Sequence, residues 1–222
     1  YAWKAAQAVI DDIDITSLGF QAIAEAEWNS QDIMLARVGV TGEYGYKIFL
    51  PTEKSEELYN ELLNVTGDEY KITPVSQKAL EIAMLEVRQP NIEIESKGLT
   101  VLESCFEWLI NFDKETFIGY DAIQDMIDEE VPRRIVGFSA DSKLTINPKD
   151  VVQVENIKVG EILQAEYNPI EDKYFGLVIL EKDFAVSGLT LESVEKDSGE
   201  TGEIQTISSP FIVTKSLAIK MN

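Results

Sequence analysis

The sequence has no histidine and a single cysteine, Cys105, in 222 residues. The lack of histidine excludes a His-based catalytic triad, an imidazole general base and an imidazole metal ligand. One cysteine excludes an internal disulfide and every multi-cysteine zinc or iron–sulfur site. Cys105 lies in the run Leu102-Glu-Ser-Cys-Phe-Glu-Trp108, where we expect its thiol to be buried as a small hydrophobic side chain rather than to act as a nucleophile. We therefore predict no metal site, and catalysis by these residues would have to use carboxylates, Tyr, Lys, Arg or backbone groups.

Basic residues are scarce: 19 Lys and Arg stand against 40 Asp and Glu, which gives a formal net charge of -21. Such a charge disfavours binding to nucleic acid or anionic membranes, and no apolar run approaches the roughly 18 residues of a membrane span. We expect neither nucleic acid nor membrane as a partner, and a cytoplasmic location. Because the acidic residues are scattered, we interpret them as a solvated surface, with a site for a cationic partner as the alternative.

The start of the chain lacks two further features. There is no initiator methionine, and residues 1–10 lack the charged region and the apolar region of a signal peptide. We therefore expect the chain to begin inside a longer protein.

The first 131 residues combine helical and extended patterns. Apolar residues recur at helical spacing in four segments, which predicts helices at residues 1–10, 52–63, 73–87 and 120–128. Thr73 and Pro74 are residue types that begin helices. Extended segments are predicted around residues 19–25, 32–38 and 44–50, the last with one face formed by Tyr44, Tyr46, Ile48 and Leu50.

The pattern changes after residue 131. Short strand-like segments are separated there by Gly, Asn, Pro and Asp at roughly ten-residue spacing, which is typical of small β-barrels or sandwiches. The predicted strands are residues 134–138, 151–154, 161–166, 174–180, 190–195 and 212–219. We therefore predict an α+β fold, with an α+β domain at residues 1–131 followed by a small all-β domain at residues 132–222.

One motif combines glycines with a carboxylate, and it reads Arg37-Val-Gly-Val-Thr41-Gly42-Glu43-Tyr44-Gly45-Tyr46. Gly42 and Gly45 permit a positive φ, or close approach by a ligand, on either side of Glu43. A turn of this kind aims the carboxylate outward, where its two oxygens can accept two N–H donors of a heterocycle. An ordinary hairpin with an exposed glutamate is the alternative.

These residues resemble the aminomethyltransferase family, the T-proteins of the glycine cleavage system, whose segment reads approximately Arg-Thr-Gly-Tyr-Thr-Gly-Glu-Asp-Gly-Phe-Glu. Further matching segments follow in the family's order, namely Leu50-Pro51, Leu85-Glu86, Lys114-Glu-Thr-Phe117-Ile118-Gly119 and Ser209-Pro210-Phe211. The resemblance spans essentially the whole chain. Each motif alone is unspecific, and the resemblance rests on the order and spacing of the motifs along the chain.

The resemblance implies a three-domain fold around a central folate site, with a small all-β barrel as the last domain. In the family, the glutamate of the Thr-Gly-Glu turn binds the pteridine ring, which places Glu43 on tetrahydrofolate, with Arg37 and Tyr46 in support. For Arg37, a surface charge at a strand edge is the alternative. The implied activity is one-carbon transfer to tetrahydrofolate, from an aminomethylated lysine of a carrier protein or from a methylated small molecule.

The resemblance also implies that this chain holds only part of the site. The family's catalytic Asp lies in an N-terminal region that these residues do not include, so we expect no catalytic residue in this chain. That region also forms one wall of the family's site and is expected to complete it. We expect the intact protein to be a transferase and the 222-residue chain by itself to be inactive.

The sequence departs from the family where the glutamate tail of folate is bound. The family's Ala-Arg-Asp, whose Arg holds that tail, is Ser76-Gln77-Lys78 here. Lys78 supplies a point charge but no bidentate fork. The family's Leu-Glu-Ala-Gly-x-Pro is Leu85-Glu-Val-Arg88-Gln-Pro90, in which Arg88 is a candidate to restore positive charge and to bind the cofactor. We expect the tail to be recognised less well than in an ordinary family member.

Two alternatives stay open. The first is a non-catalytic folate-binding or regulatory protein on the same fold, which Gln77 and Lys78 favour. A subclass of that kind, linked to iron–sulfur cluster maintenance, carries a Lys-Gly-Cys-Tyr-type motif that this sequence lacks. The second is an interaction module whose β part binds a partner with an acidic or basic tail. Because several activities share the fold, the fold alone does not decide among them.

Overall fold

The computed structural model describes residues 1–67, 70–215 and 221. The described residues form two compact units, the first drawn from residues 1–89 and from 212–215 with 221, and the second comprising residues 90–211. Residues 90–131 therefore belong with the strands that follow them. One tie is the backbone of Ile135, which donates to the carbonyl of Glu103 at 2.9 Å. The compact units divide after residue 89, and the division into 1–131 and 132–222 stays a prediction about domains.

The first unit is built on a three-stranded antiparallel sheet in the order β1-β2-β3. Helix α1 (Ala2–Gln7) comes first, followed by β1 (Ile23–Trp28), β2 (Gln31–Ala36) and β3 (Lys47–Phe49). The rest of the unit comprises α2 (Ser55–Asn64), the short pair β4 (Thr66–Gly67) and β5 (Tyr70–Lys71), and α3 (Gln77–Glu86). Two 3-10 turns, Ile15–Ser17 and Thr52–Lys54, stand before β1 and α2.

Alternating burial explains why the sheet forms. Ala26 of β1 lies opposite Ile33 of β2, and both side chains are buried against the core. Their neighbours in the strands point to the other face, as the two-residue period of a strand requires. Helix α2 is tied to this sheet because the indole of Trp28 donates to a carboxylate oxygen of Glu61 at 2.9 Å.

Helix α3 begins later than predicted. Its first residue is Gln77, because Ser76 has an extended backbone and its side chain accepts a hydrogen bond from the N–H of Ala79. Ser76 is therefore the N-cap, and Thr73 and Pro74 precede the helix. The end at Glu86 agrees with the predicted end to within one residue.

The second unit is dominated by a closed barrel of six strands. Before the barrel come α4 (Ile92–Glu95), a 3-10 turn (Glu107–Leu109) and α5 (Tyr120–Asp128). The barrel strands are β6 (Arg133–Asp141), β7 (Val151–Val154), β8 (Ile157–Asn168), β9 (Lys173–Glu181), β10 (Thr190–Val194) and β11 (Thr201–Ile207). They close in the order β10-β11-β6-β9-β8-β7, and every neighbouring pair is antiparallel.

The predicted all-β character after residue 131 is confirmed. Between residues 151 and 215, the described residues contain no helix longer than the 3-10 turn Lys182–Phe184. The α+β fold with a small all-β barrel is therefore the observed fold. No helix in the described part of the chain is long and apolar enough to cross a membrane.

Two strand predictions were wrong. Strand β11 was missed because its seven residues include only two apolar ones, Ile204 and Ile207, among polar residues and a glycine. The strand predicted at residues 212–219 is absent at residues 212–215, where the backbone of Ile212 donates to Glu86 and pairs with no strand. Residues 216–219 of that prediction lie outside the described residues.

The barrel interior is packed by apolar side chains, among them Phe138, Ile162, Val178 and Ile204, which are fully buried. Gly176 on β9 is required by this packing. A Cβ atom there would lie 2.1 Å from the carbonyl oxygen of Gln164 and 2.4 Å from the ring of Phe138.

The expectation that Cys105 is buried needs correction. Its thiol is only partly buried, and the sulfur lies 3.5 Å from the carbonyl oxygen of Ile135.

Candidate functional site

The candidate site is the segment of residues 37–46 that joins β2 to β3, here called the site turn. The sheet ladder extends one residue beyond β2, since the N–H of Arg37 donates to Ala22 at 2.9 Å and its carbonyl accepts from Gln21 at 3.0 Å. The chain then leaves the sheet and rejoins it at Lys47. The strand predicted from residue 44 is therefore shorter than expected, and Tyr44 lies in the turn.

Close backbone contact explains two of the turn's glycines. A Cβ atom on Gly39 would lie 2.7 Å from the carbonyl oxygen of Glu43, and one on Gly45 would lie 2.8 Å from the Cα of Gly39. Real Cβ atoms do not approach this closely, so the two ends of the turn touch only because both residues are glycine. The glycines therefore shape the turn itself.

Arg37 is held against an aromatic ring at the start of the site turn. Its Nη1 donates to the carbonyl of Leu18 at 2.7 Å. The guanidinium carbon lies 4.8 Å from the centroid of the Tyr44 ring, which is within cation–π distance. Its Nε is buried and has no hydrogen-bond partner in the part of the chain that the structure describes. Arg37 is therefore a positioned, half-buried cation at the end of β2, and its role in binding stays a prediction.

Tyr46 stands at the other end of the site turn and packs against the core of the first unit. Its hydroxyl donates to the sulfur of Met221 at 3.4 Å. Burial raises the pKa of the Tyr46 phenol, the charge of Arg37 opposes this shift, and Tyr44 adds to it. A tyrosine phenol is protonated at neutral pH even at its ordinary pKa of about 10, so Tyr46 is a hydrogen-bond donor there.

Glu43 lies at a bend in the middle of the site turn and is exposed. Its neighbour Gly42 has a φ of +70°, a conformation that favours glycine. The backbone of this bend therefore presents the Glu43 carboxylate to solvent. Its role in binding stays a prediction.

Arg88 follows the C-terminus of α3 and has a φ of +57°. The N–H of Arg88 donates to Leu85 and the N–H of Gln89 donates to Met84, at 3.0 and 2.8 Å. This pair of bonds is the Schellman motif, whose left-handed position is usually glycine. Arg88 therefore stands where the resemblance places a family glycine, at a position whose left-handed backbone favours glycine.

Helix α3 also brings its end beside the site turn. A Cβ atom built on Gly42 would lie 3.1 Å from Cγ1 of Val87, the residue before Arg88. At the other end of α3, Gln77 and Lys78 are exposed, and the amide of Gln77 donates to Glu81 at 3.3 Å. Gln77 is thus engaged within its own helix.

The structure brings together Arg37, Tyr44 and Tyr46, with Glu43 exposed between them in the same turn. Two participants were missed by sequence reasoning. Tyr44 was assigned to a strand face, although its position next to Glu43 is a signal. Thr214 bonds to the site turn from 172 positions away, and no sequence pattern indicates that contact.

Comparison with known proteins gives consistent results. The family model described as the GCVT N-terminal domain matches residues 2–114. An aminomethyltransferase of Thermoanaerobacter pseudethanolicus is 31% identical over 164 residues, which are 73% of this chain and 44% of that protein. An aminomethyltransferase of Desulfitobacterium hafniense is 25% identical over 203 residues, which are 91% of this chain and 55% of that protein.

A solved structure has the same fold. The glycine cleavage system aminomethyltransferase T of Bartonella henselae matches with a TM-score of 0.77 and 22% identity, over 89% of this chain and 54% of that chain. At this identity the match concerns the fold alone. The chain spans about half the length of the curated relatives that it matches.

Proposed function

The chain belongs to the GCVT family, that of the glycine-cleavage T-proteins, and on that premise we propose that its function is tetrahydrofolate-dependent transfer of an aminomethyl group or a related one-carbon group. The proposed donor is an aminomethylated lysine of a carrier protein or a methylated small molecule. We expect the protein to act in the cytoplasm. We propose that a catalytic Asp and one wall of the site lie outside these residues, as the resemblance implies.

One observation carries the proposal: the bend at Gly42 presents the Glu43 carboxylate to solvent, beside a turn that holds a cation and two tyrosines. This donor set fits a reduced pterin. A carboxylate accepts two N–H donors of such a ring, and aromatic side chains offer it apolar surface. When bound, tetrahydrofolate accepts the one-carbon unit.

The proposed roles follow from these contacts. Glu43 accepts hydrogen bonds from the heterocycle. Arg37 keeps Tyr44 in place through the guanidinium contact at 4.8 Å, and Tyr46 anchors the end of the turn in the core. Arg88 lies after the end of α3, whose neighbouring Val87 adjoins the turn, and is the proposed cation for the folate tail.

The decisive measurement is a calorimetric titration of the full-length protein with tetrahydrofolate. Glu43→Gln removes the charge and keeps the shape, and it is expected to weaken binding by about 1–3 kcal/mol, the usual contribution of a charged hydrogen bond. Stability should not change, because the side chain is exposed. Glu53→Gln, at another exposed acid of the same unit, is the matched control and should bind as the unchanged protein does.

Equal affinities of the Glu43→Gln and Glu53→Gln variants for tetrahydrofolate would show that Glu43 is an ordinary exposed hairpin residue with no role in binding. Absence of any binding to the unchanged full-length protein would overturn the proposed function as a whole. Turnover with an aminomethylated carrier protein then separates a transferase from a protein that only binds folate.

A non-catalytic folate-binding or regulatory protein is the second candidate. The observation that favours it is the start of α3, where Gln77 donates to Glu81 in place of the family's tail-binding Arg. The tail site contributes to folate binding and takes no part in the transfer reaction. A protein with an altered tail site can therefore still bind folate although it transfers no one-carbon group. Folate binding by the full-length protein together with no transfer from either donor class would support this candidate.

A further inference from the structure

The chain returns to the first unit after the barrel. At Ile212 its backbone N–H donates to the carbonyl of Glu86, the last residue of α3, at 2.9 Å. Residues 212–215, here called the C-terminal strap, belong to the same compact unit as the site turn. The strap therefore lies against the end of α3 and has no strand partner of its own in the described residues.

One side chain of the strap bonds directly to the site turn. The hydroxyl of Thr214 donates to the carbonyl oxygen of Gly42 at 2.6 Å. A Cβ atom built on Gly42 would lie 2.8 Å from Oγ1 and 2.9 Å from Cγ2 of Thr214. Both the hydroxyl and the methyl group of this threonine therefore contact the bend, and the lack of a side chain at Gly42 makes room for them.

The centre of the site turn, residues 39–43, lacks the backbone hydrogen bonds that would hold its N–H groups in place within the described part of the chain. Among the described residues, no backbone N–H from Gly39 to Glu43 donates to a backbone carbonyl. Three glycines in the turn raise the conformational entropy that must be lost to hold it in one shape. A hydrogen bond at the Gly42 carbonyl restrains the peptide that leads directly into Glu43, and with it the backbone from which that carboxylate extends.

We propose that Thr214 is a positioning residue that holds the bend carrying Glu43 through the Gly42 carbonyl. It acts through the backbone of the turn and touches no ligand. The consequence for folate affinity rests on the proposed function, whereas the restraint on the bend does not. A preorganised carboxylate binds more tightly because less freedom is lost on binding.

Two variants separate the hydroxyl from the bulk of the side chain. Thr214→Val keeps the shape and removes the donor, while Thr214→Ser keeps the donor. Val213→Thr is the matched control, since Val213 is the neighbouring residue of the strap and is 76% exposed. Nitrogen-15 NMR relaxation of the Gly42 and Glu43 amides reports the order of the bend, and calorimetry with tetrahydrofolate reports its effect on affinity.

In Thr214→Val, the order parameters of these two amides should fall from about 0.85 toward about 0.6, the range of flexible backbone. The Kd for tetrahydrofolate should rise roughly three- to ten-fold, as expected for a lost hydrogen bond. Thr214→Ser and Val213→Thr should keep both values. Rescue by serine identifies the hydroxyl as the cause, which a purely packing role would not produce.

Unchanged order parameters in Thr214→Val would overturn the positioning role. A fall in order with an unchanged Kd would overturn the link between that restraint and the ligand. If the unchanged full-length protein bound no tetrahydrofolate, the proposed function would fail, and the order parameters would still decide the role of Thr214. The two failures are therefore distinguishable.

Discussion

The guanidinium of Arg37 lies over the ring of Tyr44, with its central carbon 4.8 Å from the ring centroid. The same side chain donates to the carbonyl of Leu18 at 2.7 Å. A guanidinium makes both contacts at once, because its delocalised charge attracts the ring while one of its N–H groups donates to the carbonyl. Arg37 thereby connects the segment before β1 to the site turn.

Arg37→Lys is expected to lower the free energy of unfolding by roughly 1–2 kcal/mol, because an ammonium cannot keep both contacts. Urea unfolding followed by circular dichroism measures the change. Arg134→Lys is the control, since Arg134 pairs with Glu107 in the second unit and both side chains are more than a third exposed. That substitution should cost about 0.5 kcal/mol or less. Equal losses in the two variants would contradict a special role for the Tyr44 contact.

The carboxylate of Glu103 gives a prediction about pH. Burial pushes its pKa up, but hydrogen bonds from the N–H of Thr100 and from Arg133 outweigh that effect, so the pKa lies below the ordinary value. A lowered pKa means that this group contributes stability above its unfolded pKa and loses it as the pH falls through the folded pKa. The contribution should be complete at neutral pH and should disappear in acid.

Glu103→Gln should therefore lower the free energy of unfolding by about 1–3 kcal/mol at pH 7, with a smaller deficit as the pH falls below about 4. Unfolding curves at a series of pH values test both parts. Glu107→Gln is the control, because its side chain is 37% exposed against 7% for Glu103. A deficit for Glu103→Gln that stays constant from pH 7 to pH 3 would show that its charge does not matter.

The barrel gives a prediction about packing. Gly176→Ala should lower the free energy of unfolding by about 2–4 kcal/mol, because the new methyl group would meet the carbonyl oxygen of Gln164 at 2.1 Å. Chemical unfolding monitored by circular dichroism measures it. Gly19→Ala is the control, since its nearest neighbour would be 3.9 Å away, and it should change stability by about 0.5 kcal/mol or less. A tolerated Gly176→Ala would mean that β8 and β9 can separate locally.

Local signals in the sequence were enough for much of the fold. Helix α5 begins and ends where its amphipathic pattern predicts, at Tyr120 and Asp128, and β7 matches its predicted bounds as well. Both are specified by residues within the element. The start of α3 was placed too early because two capping signals compete there, and Ser76 is the one whose side chain bonds to the helix.

The site was only partly predictable, because its geometry depends on contacts between distant residues. The exposure of Glu43 follows from glycines in its own turn. The contact of Thr214 with Gly42 spans 172 positions, and the missed strand β11 is defined by its place between β6 and β10. A pattern within one segment contains neither relationship.

Substitutions of Arg88 test two properties of this position, the cost of its backbone conformation and its role in ligand binding. It adopts a φ of +57° at the end of α3, where an ordinary side chain costs about 1 kcal/mol relative to glycine. Arg88→Gly should therefore have a free energy of unfolding about 0.5–1 kcal/mol higher than that of Arg88→Ala, because both variants lose the same side-chain contacts and differ in the cost of the left-handed backbone. Thermal and urea unfolding measure this difference, and an Arg88→Gly variant no more stable than Arg88→Ala would contradict the conformational explanation.

The same two variants test recognition of the folate tail, which stays a prediction. An Arg fork binds a carboxylate through two parallel charge-assisted bonds, and Gln77 and Lys78 do not reproduce that geometry. We therefore expect the full-length protein to prefer polyglutamylated over monoglutamylated folate only weakly. If Arg88 has taken over this role, whatever preference exists should vanish in both Arg88→Gly and Arg88→Ala, although their stabilities differ. A strong preference for the polyglutamate that both variants retain would refute weakened recognition and the role of Arg88 together.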